Sequence, residues 1–518
     1  MANKSVFASM RGRMLPKTDA VNKEGAPAYA YEDRQKLAQL AMTGTIGDLF
    51  YQDAEVELDA VLDVANKVEP EYLAKAAIHA RQRGHMKDMP ALLLAVLASR
   101  DPQILSVAFP RVVTNGKMLR NFVQIMRSGQ TGRKSLGSRP KALVAGWLNS
   151  ASDRQLLQAS IGSNPSLADV IKMVHPKPGD ARREALFAWM IGKPCDLDKL
   201  PEAVQDYVAY QDRGDGPLPD VPFQMLTHLP LTAEHWAQIA RSGSWQMVRM
   251  NLNTFLRRGA FGVKGVTEEV AATLGDRERI RKARVFPYQL MTTYQSLSGD
   301  MPVEIRNALH DAMEVAVTNV PKISGQVVVC PDVSGSMTSP VTGYRPGATT
   351  ATRFVDVAAL VSAAFLRRNR GTLVLPFEFG VRDVTLEARD TILTNARRLA
   401  DLAGGGTNCL APLEWLIARN QAPDLIVFVS DNQSWADTDR RSAGTPMMRN
   451  WEKLTVRNPK AKLVCIDIAP YGTTQVKSRE NVLNIGGFSD AVFDQIAAFA
   501  EDRLGPDQWV GEIEGIEL

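Results

Sequence analysis

Near residue 322 the hydrophobic rhythm of this chain changes, and that change restricts the fold more than any single motif. From Ile323 onward, short apolar runs (QVVVCPDV, TLVLPFEFG, DLIVFVSD and KLVCIDIAP) alternate with helical patterns: ATRFVDVAALVSAAFLRR, ILTNARRLADLA, LAPLEWLIARN and a helix around Met447 to Leu454. A strand apolar at every position is buried on both faces, and helices between such strands form the crossovers of a parallel sheet. The expectation for residues 323–518 is a doubly wound, Rossmann-like α/β domain. In such sheets ligands bind beyond the carboxyl ends of the strands.

Residues 1–322 read differently. ALLLAVLASR, RQLLQASIG, REALFAWMIG and VEIRNALHDAMEVAVTNV place apolar residues at helical spacing, with short Gly, Pro or Asp breaks between segments. Amphipathic helices this short cannot each bury a face alone, so they are expected to stack as a HEAT-like helical-repeat array, although no strict period repeats. The chain is thus α followed by α/β. Its 518 residues, 45% apolar and 23% charged, are those of an ordinary globular protein of two to four domains. No apolar run approaches the roughly 20 residues that span a bilayer, and the basic start has no apolar stretch behind it. The four cysteines, Cys195, Cys330, Cys409 and Cys465, lie far apart without a CxxC, which points to reduced thiols and a cytoplasmic location.

The first strand of the α/β domain ends in Asp332-Val333-Ser334-Gly335-Ser336. Alternate residues at a strand end, with a glycine to relax the turn, can aim their oxygens at one point. Thr407, in GGGTN ahead of a helix, and Asp431, at the end of DLIVFVSD, occupy equivalent places. Carboxylates and hydroxyls without nitrogen or sulfur make a hard-oxygen site suited to Mg²⁺. All six histidines precede this domain, GGGTN lacks the lysine and spacing of a P-loop, and no Gly-x-Ser-x-Gly elbow occurs. The plainer alternative is that Asp332 and Ser334 cap a helix, which accounts for one segment of the three.

This constellation resembles the metal-ion-dependent adhesion site of von Willebrand factor A domains. The resemblance implies that Ser334, Ser336 and Thr407 contact the metal, that Asp332 and Asp431 act largely through water, and that an acidic group from a partner completes the shell. The sequence departs from the pattern after Asp431, where Asn432 and Gln433 stand in place of the glycine and glutamate of many A domains.

Charge divides unevenly along the chain. From Ile323 onward 20 Lys and Arg stand against 23 Asp and Glu, whereas before it 41 stand against 34. Two stretches concentrate the basic excess. Arg127 to Lys141 holds five basic and no acidic residues, among them Arg133, Lys134 and Arg139; Arg249 to Gly265 holds four more, including Arg257 and Arg258, with Phe255 and Phe261. Basic groups neutralise phosphates, and aromatic or guanidinium planes stack on unpaired bases. A solvated loop and an amphipathic helix with core phenylalanines remain equal readings of the two stretches on sequence alone.

LPKTDAVNKEGAPAYAYEDRQKLAQLAMTGT, MKDMPALLLAVLAS, VHPKP, VRMNLNTFLRRGAFG and ARVFPYQLMTTYQ resemble segments of the TROVE module of the Ro autoantigen family, from about Leu15 onward. The resemblance implies a helical-repeat ring, a TROVE domain over 1–322, closed by an A domain over 323–518. Single-stranded 3′ ends of misfolded RNA would thread the ring and small Y RNAs would bind its outside. His175 and Lys141 match RNA-contacting positions of the family, and Arg139, Lys177, Arg257 and Arg258 are further candidates. Where the family has Arg-Lys-Ala this chain has Pro140-Lys141-Ala142, one basic contact fewer. Bacterial relatives act beside exoribonucleases such as polynucleotide phosphorylase. No base–acid pair or second carboxylate pair with nuclease spacing is evident, so no catalysis is expected. The rival expectation is a protein-interaction scaffold whose metal site takes an acidic partner.

Overall fold

A computed structural model describes residues 15–44, 53–214, 216–283, 285, 287–317, 320–344, 352–434, 444–469, 471–487, 490–504 and 508–518. Contacts divide the chain into two compact units. One takes the described residues within 1–67, 284–295 and 310–515; the other takes 68–283, 296–309 and 516–518. Among the described residues no helix is long and apolar enough to cross a membrane.

The second unit is helical, as the periodicity predicts. Its helix Asp88–Arg100 is apolar on every face from Met89 to Ala98 and is buried throughout that span. A helix of this kind needs partners on all sides. It has them in the helices Pro70–Gln82, Pro102–Val112 and Gly116–Ser128. The ends of these short helices are set by side chains. Asp101 accepts hydrogen bonds from the amides of Gln103 and Ile104, Asn115 from Met118, and Ser152 and Ser166 close reciprocal capping boxes with Gln155 and Asp169. Where Gly116 opens its helix, the neighbouring helix Asp153–Ala159 comes so near that an added Cβ would lie 2.0 Å from that of Ala159.

The first unit is built on five parallel strands in the order β4-β3-β5-β6-β8: β3 Val327–Pro331, β4 Leu373–Val374, β5 Leu425–Ser430, β6 Lys462–Asp467 and β8 Val482–Gly486. Strands β3, β5 and β8 are wholly buried, as strands covered on both faces must be. The expected strand TLVLPFEFG is regular only over Leu373–Val374. Pro376 has no N–H to give the ladder, and pairing continues singly through Leu375 N to Val329 O (2.9 Å) and Phe377 N to Pro331 O (3.1 Å). Strand β8 was not evident in the sequence.

A second departure concerns the N-terminal segment. β1 Ala20–Val21 and β2 Pro27–Ala30 form an antiparallel hairpin, and β2 pairs with β7 Thr473–Thr474. Tyr29 is buried in the core of the sheet unit beside Phe428 and Trp451, and the helix Asp33–Thr43 packs on β8. A single cut after residue 322 therefore describes the chain's periodicity but not its packing. The N-terminal segment, which the sequence placed with the helical part, folds with the sheet.

Candidate metal centre and basic surface

Strand order decides where the sheet offers a site. β3 is followed in sequence by β4 on one side and then by β5 on the other, so the crevice between the carboxyl ends of β3 and β5 is the topological switch point. Asp332 follows β3 there and Asp431 follows β5. The third segment is tied to the first through its backbone: Gly335 N donates to Gly405 O (3.0 Å) and Gly404 N to Val333 O (2.8 Å). Gly335 suits this approach, because a Cβ there would crowd the Gly405 oxygen at 3.1 Å.

Asp332, Ser334, Ser336, Thr407 and Asp431 are all buried, none more than 4% exposed. Ser334 Oγ and Ser336 Oγ lie 3.2 Å apart, and Ser334 N donates to Asp332 Oδ1 (2.9 Å). Asp332 Oδ2 accepts from Ser430 Oγ (2.6 Å), and Asp431 Oδ1 from Gln433 N (3.2 Å). Burial lifts both carboxyls above the ordinary range, and the charge of Asp332 lifts Asp431 further. No basic side chain among the described residues forms an ion pair with either.

That arrangement fits a hard divalent cation. Two buried like charges without a counter-ion repel one another and are poorly solvated, and a cation bound among the hydroxyls relieves both penalties. Among the described residues no three His, Cys, Asp or Glu side chains gather around a common point, so a metal here depends on the serine and threonine oxygens. Asp332 and Ser334 do not merely cap a helix: Ser334 precedes a short 3₁₀ turn, Gly335–Thr338, without a side-chain cap. Sequence reasoning missed Ser430, which anchors Asp332, and Ser434, whose Oγ accepts from Cys409 N (3.2 Å) and donates to Thr407 O (3.4 Å). It also missed Asp467, which ends β6 opposite Ser430 and whose carboxyl is raised well above normal by burial. The sequence signal for Ser430 and Asp467 was position at a strand end, and Ser434, in the loop after β5, had none.

In the helical unit the basic residues lie on the surface. Arg139 and Lys141 are exposed in the first turn of the helix Ser138–Ser150, which has no acidic residue there. Arg133, half-buried, and Lys134, exposed, sit in the loop before it. His175 is exposed and caps the helix Leu167–Val174 in a left-handed conformation, φ 51°. That helix packs on Ser138–Ser150, and Asn149 Nδ2 donates to the carbonyl of exposed Lys177 (2.9 Å), so His175, Lys177, Arg139 and Lys141 belong to adjoining elements. The helix Leu167–Val174 also lines an open cavity of about 870 Å³, with Lys172 and Asp169 facing it alongside Arg127, Gln124 and Asn164; of these only Arg127 lies in one of the two basic stretches.

Arg257 and Arg258 end the helix Leu252–Arg257, which packs with Ala233–Ser242 instead. Both are exposed, but Arg257 donates to Asn253 O (3.3 Å) and the Arg258 guanidinium lies 5.5 Å from the Trp236 ring centre. Phe255 is fully buried in an edge contact with Trp236 and is therefore a core residue, not a stacking platform. Phe261 is half-buried.

Comparison with known proteins agrees with this architecture. Residues 326–500 match the family described as the Ro60 vWA domain. The RNA-binding protein RO60 of Deinococcus radiodurans is 24% identical over 524 residues, covering 93% of this chain and 95% of that one. The RNA-binding protein RO60 of Caenorhabditis elegans is 25% identical over half of this chain and 40% of its own length. The crystal structure of the Deinococcus radiodurans RO (RSR) protein superposes with a TM-score of 0.59 at 20% identity, covering 91% of this chain and 100% of that one, and shares its fold. The chain is similar to these Ro proteins over nearly its whole length, and its residues 326–500 match the Ro60 vWA domain.

Proposed function

We propose that this chain is a non-catalytic RNA-binding protein that holds the single-stranded 3′ ends of misfolded or structured non-coding RNA. The observation that carries the reading is its end-to-end likeness to a protein described as RNA-binding. The basic surface adds a physical argument. The N-terminus of a helix carries a partial positive charge, which acidic side chains ordinarily offset. The helix Ser138–Ser150 places Arg139 and Lys141 there instead, a local arrangement that a bound phosphate would reconcile. His175, at the end of the packed helix Leu167–Val174, and Lys177, in the loop after it, flank it and would be open to bases or sugar hydroxyls of an unpaired strand. Y-like RNA is a further ligand in this reading. An exoribonuclease such as polynucleotide phosphorylase is the partner to which the bound ends would be presented, and reduced cysteines fit action in the cytoplasm.

In this reading Asp332, Ser334, Ser336, Thr407 and Asp431 would hold one Mg²⁺, which would supply a Lewis-acid point for an acidic group. The protein's own residues set its position: Ser430 orients Asp332, and Gln433 orients Asp431. A second reading, a protein-interaction scaffold, draws on this site alone. The test is affinity for a structured RNA with a single-stranded 3′ tail, against the blunt RNA and duplex DNA, over a salt titration. Tail-dependent binding with a steep salt slope, weakened by Lys141→Glu and His175→Ala, supports the RNA reading. Equal weak binding to all three supports the scaffold.

A further inference from the structure

The turn between β1 and β2 lies far in sequence from the metal centre and is docked on it. Asn22 shapes the turn: its Oδ1 accepts from Glu24 N (3.1 Å) and Ala26 N (3.0 Å), Asn22 N donates to Ala26 O, and Gly25 takes a left-handed φ of 79°. Two hydrogen bonds then clamp it to the loop after β5. Asn22 Nδ2 donates to Ser434 O (2.6 Å), and Lys23 N donates to Gln433 Oε1 (2.8 Å).

Both receiving residues belong to the fabric of the site. Gln433 is fully buried and bonds Asp431 twice, through N to Oδ1 (3.2 Å) and through Nε2 to the carbonyl (3.1 Å). Ser434 ties the same loop to Thr407 and Cys409. Gln433 is also a position at which this chain departs from the common A-domain pattern. Its side chain has a definite use here, as the receptor for the turn. The glutamate that the turn carries, Glu24, is exposed and directly follows Lys23, whose amide is docked on Gln433.

We propose that the turn Asn22–Gly25 is the acidic partner of the metal centre supplied by the chain itself: docked on Gln433 and Ser434, it presents the Glu24 carboxylate to the bound cation. The proposal rests on the metal-site reading above. A third negative charge beside two buried carboxylates is unfavourable while no cation is there and favourable once a divalent ion is bound. Glu24 then occupies the place of an external acid, so an incoming acidic ligand must displace it. Its effective concentration is set by the docked turn, which gives the internal group an advantage over a free carboxylate.

The experiment is a Mn²⁺ titration of the full-length chain followed by water-proton relaxation, with acetate as the probe acid, on wild type, Glu24→Gln, Glu24→Asp and Ser334→Ala. Glu24 is exposed, so its variants should fold. Glu24→Gln is expected to weaken Mn²⁺ binding about tenfold, since ligand charge tunes affinity for hard cations. It should also raise the relaxation enhancement per bound ion as water replaces the carboxylate, and let acetate lower that enhancement at about a tenth of the concentration wild type needs. Glu24→Asp should recover part of each effect. If wild type binds Mn²⁺ in a manner that Ser334→Ala abolishes, but Glu24→Gln matches wild type in affinity, relaxation and acetate response, the proposal is wrong and the metal site stands. If wild type shows no Mn²⁺ binding that depends on Ser334, both fail together.

Discussion

The two units differ in how they build function. In the sheet unit, topology brings together residues from segments 332–336, 407 and 431 by ending two adjacent strands and one loop at a switch point, and every one is buried. In the helical unit the candidate RNA contacts are borne by a helix start, a helix cap and a loop, nearly all exposed. A buried polar site must satisfy its partners through the fold, so its residues are mutually fixed and costly to change. An exposed basic surface works by summed charge, so each residue is individually replaceable and its effect falls with salt.

The allegiance of the N-terminal segment gives the largest expected effect. Tyr29→Ala removes a buried ring from the sheet core and is expected to cost about 3–5 kcal/mol. In hydrogen exchange the loss of protection should fall on β3 and β5 and spare the helix Asp88–Arg100; the reverse pattern would return the segment to the helical part. Ser430→Ala deprives buried Asp332 of a charge-assisted hydrogen bond and should weaken metal binding by about 1.5–3 kcal/mol, read by calorimetric Mg²⁺ titration, with RNA affinity unchanged.

Gly116→Ala sharpens the contrast from the helical side. The new methyl collides with Ala159, and overpacking of this kind costs about 1–3 kcal/mol. Chemical denaturation should show the loss, and Mg²⁺ affinity should not move. pH gives a graded test of the metal centre. Without a metal, the folded-state values of Asp332, about 6, and Asp431, about 7, exceed the ordinary 3.8. The folded state then takes up more protons than the unfolded one between about pH 4 and pH 7, so metal-free stability falls as pH rises through that window, by about 1.4 kcal/mol per pH unit for each extra proton. A bound cation holds both carboxylates ionised and reverses that term. The gap in Tm between Mg²⁺ and EDTA should therefore widen as pH rises from about 4 to about 7; a constant gap would count against a site built on these two carboxylates.

Much of this was legible in the sequence, for identifiable reasons. The strands β3, β5 and β6 announce themselves by unbroken apolar runs, and Asp332, Ser334 and Ser336 by their place at the end of one. β8 escaped notice because Asn484 and Gly486 interrupt its run; Asn484 instead bonds Thr474 and Val476 inside the unit. β1 and β2 are too short for any periodicity to register, and the second partner of β2, strand β7, lies more than 440 residues away. The use of Gln433 is visible only once Lys23 is beside it. For the basic residues, composition located the stretch around Lys141, but Lys172 and Asn164 join Arg127 only through helix packing. The same packing shows Phe255 to be core.

The most direct test of the division of labour is the affinity of Ser334→Ala and Lys141→Glu for one 3′-tailed RNA, measured side by side across a salt series. The account predicts that Ser334→Ala binds as wild type does at every salt concentration, whereas Lys141→Glu binds more weakly and its salt slope falls by about one. An equal loss in Ser334→Ala, with the slope of Lys141→Glu unchanged, would contradict it.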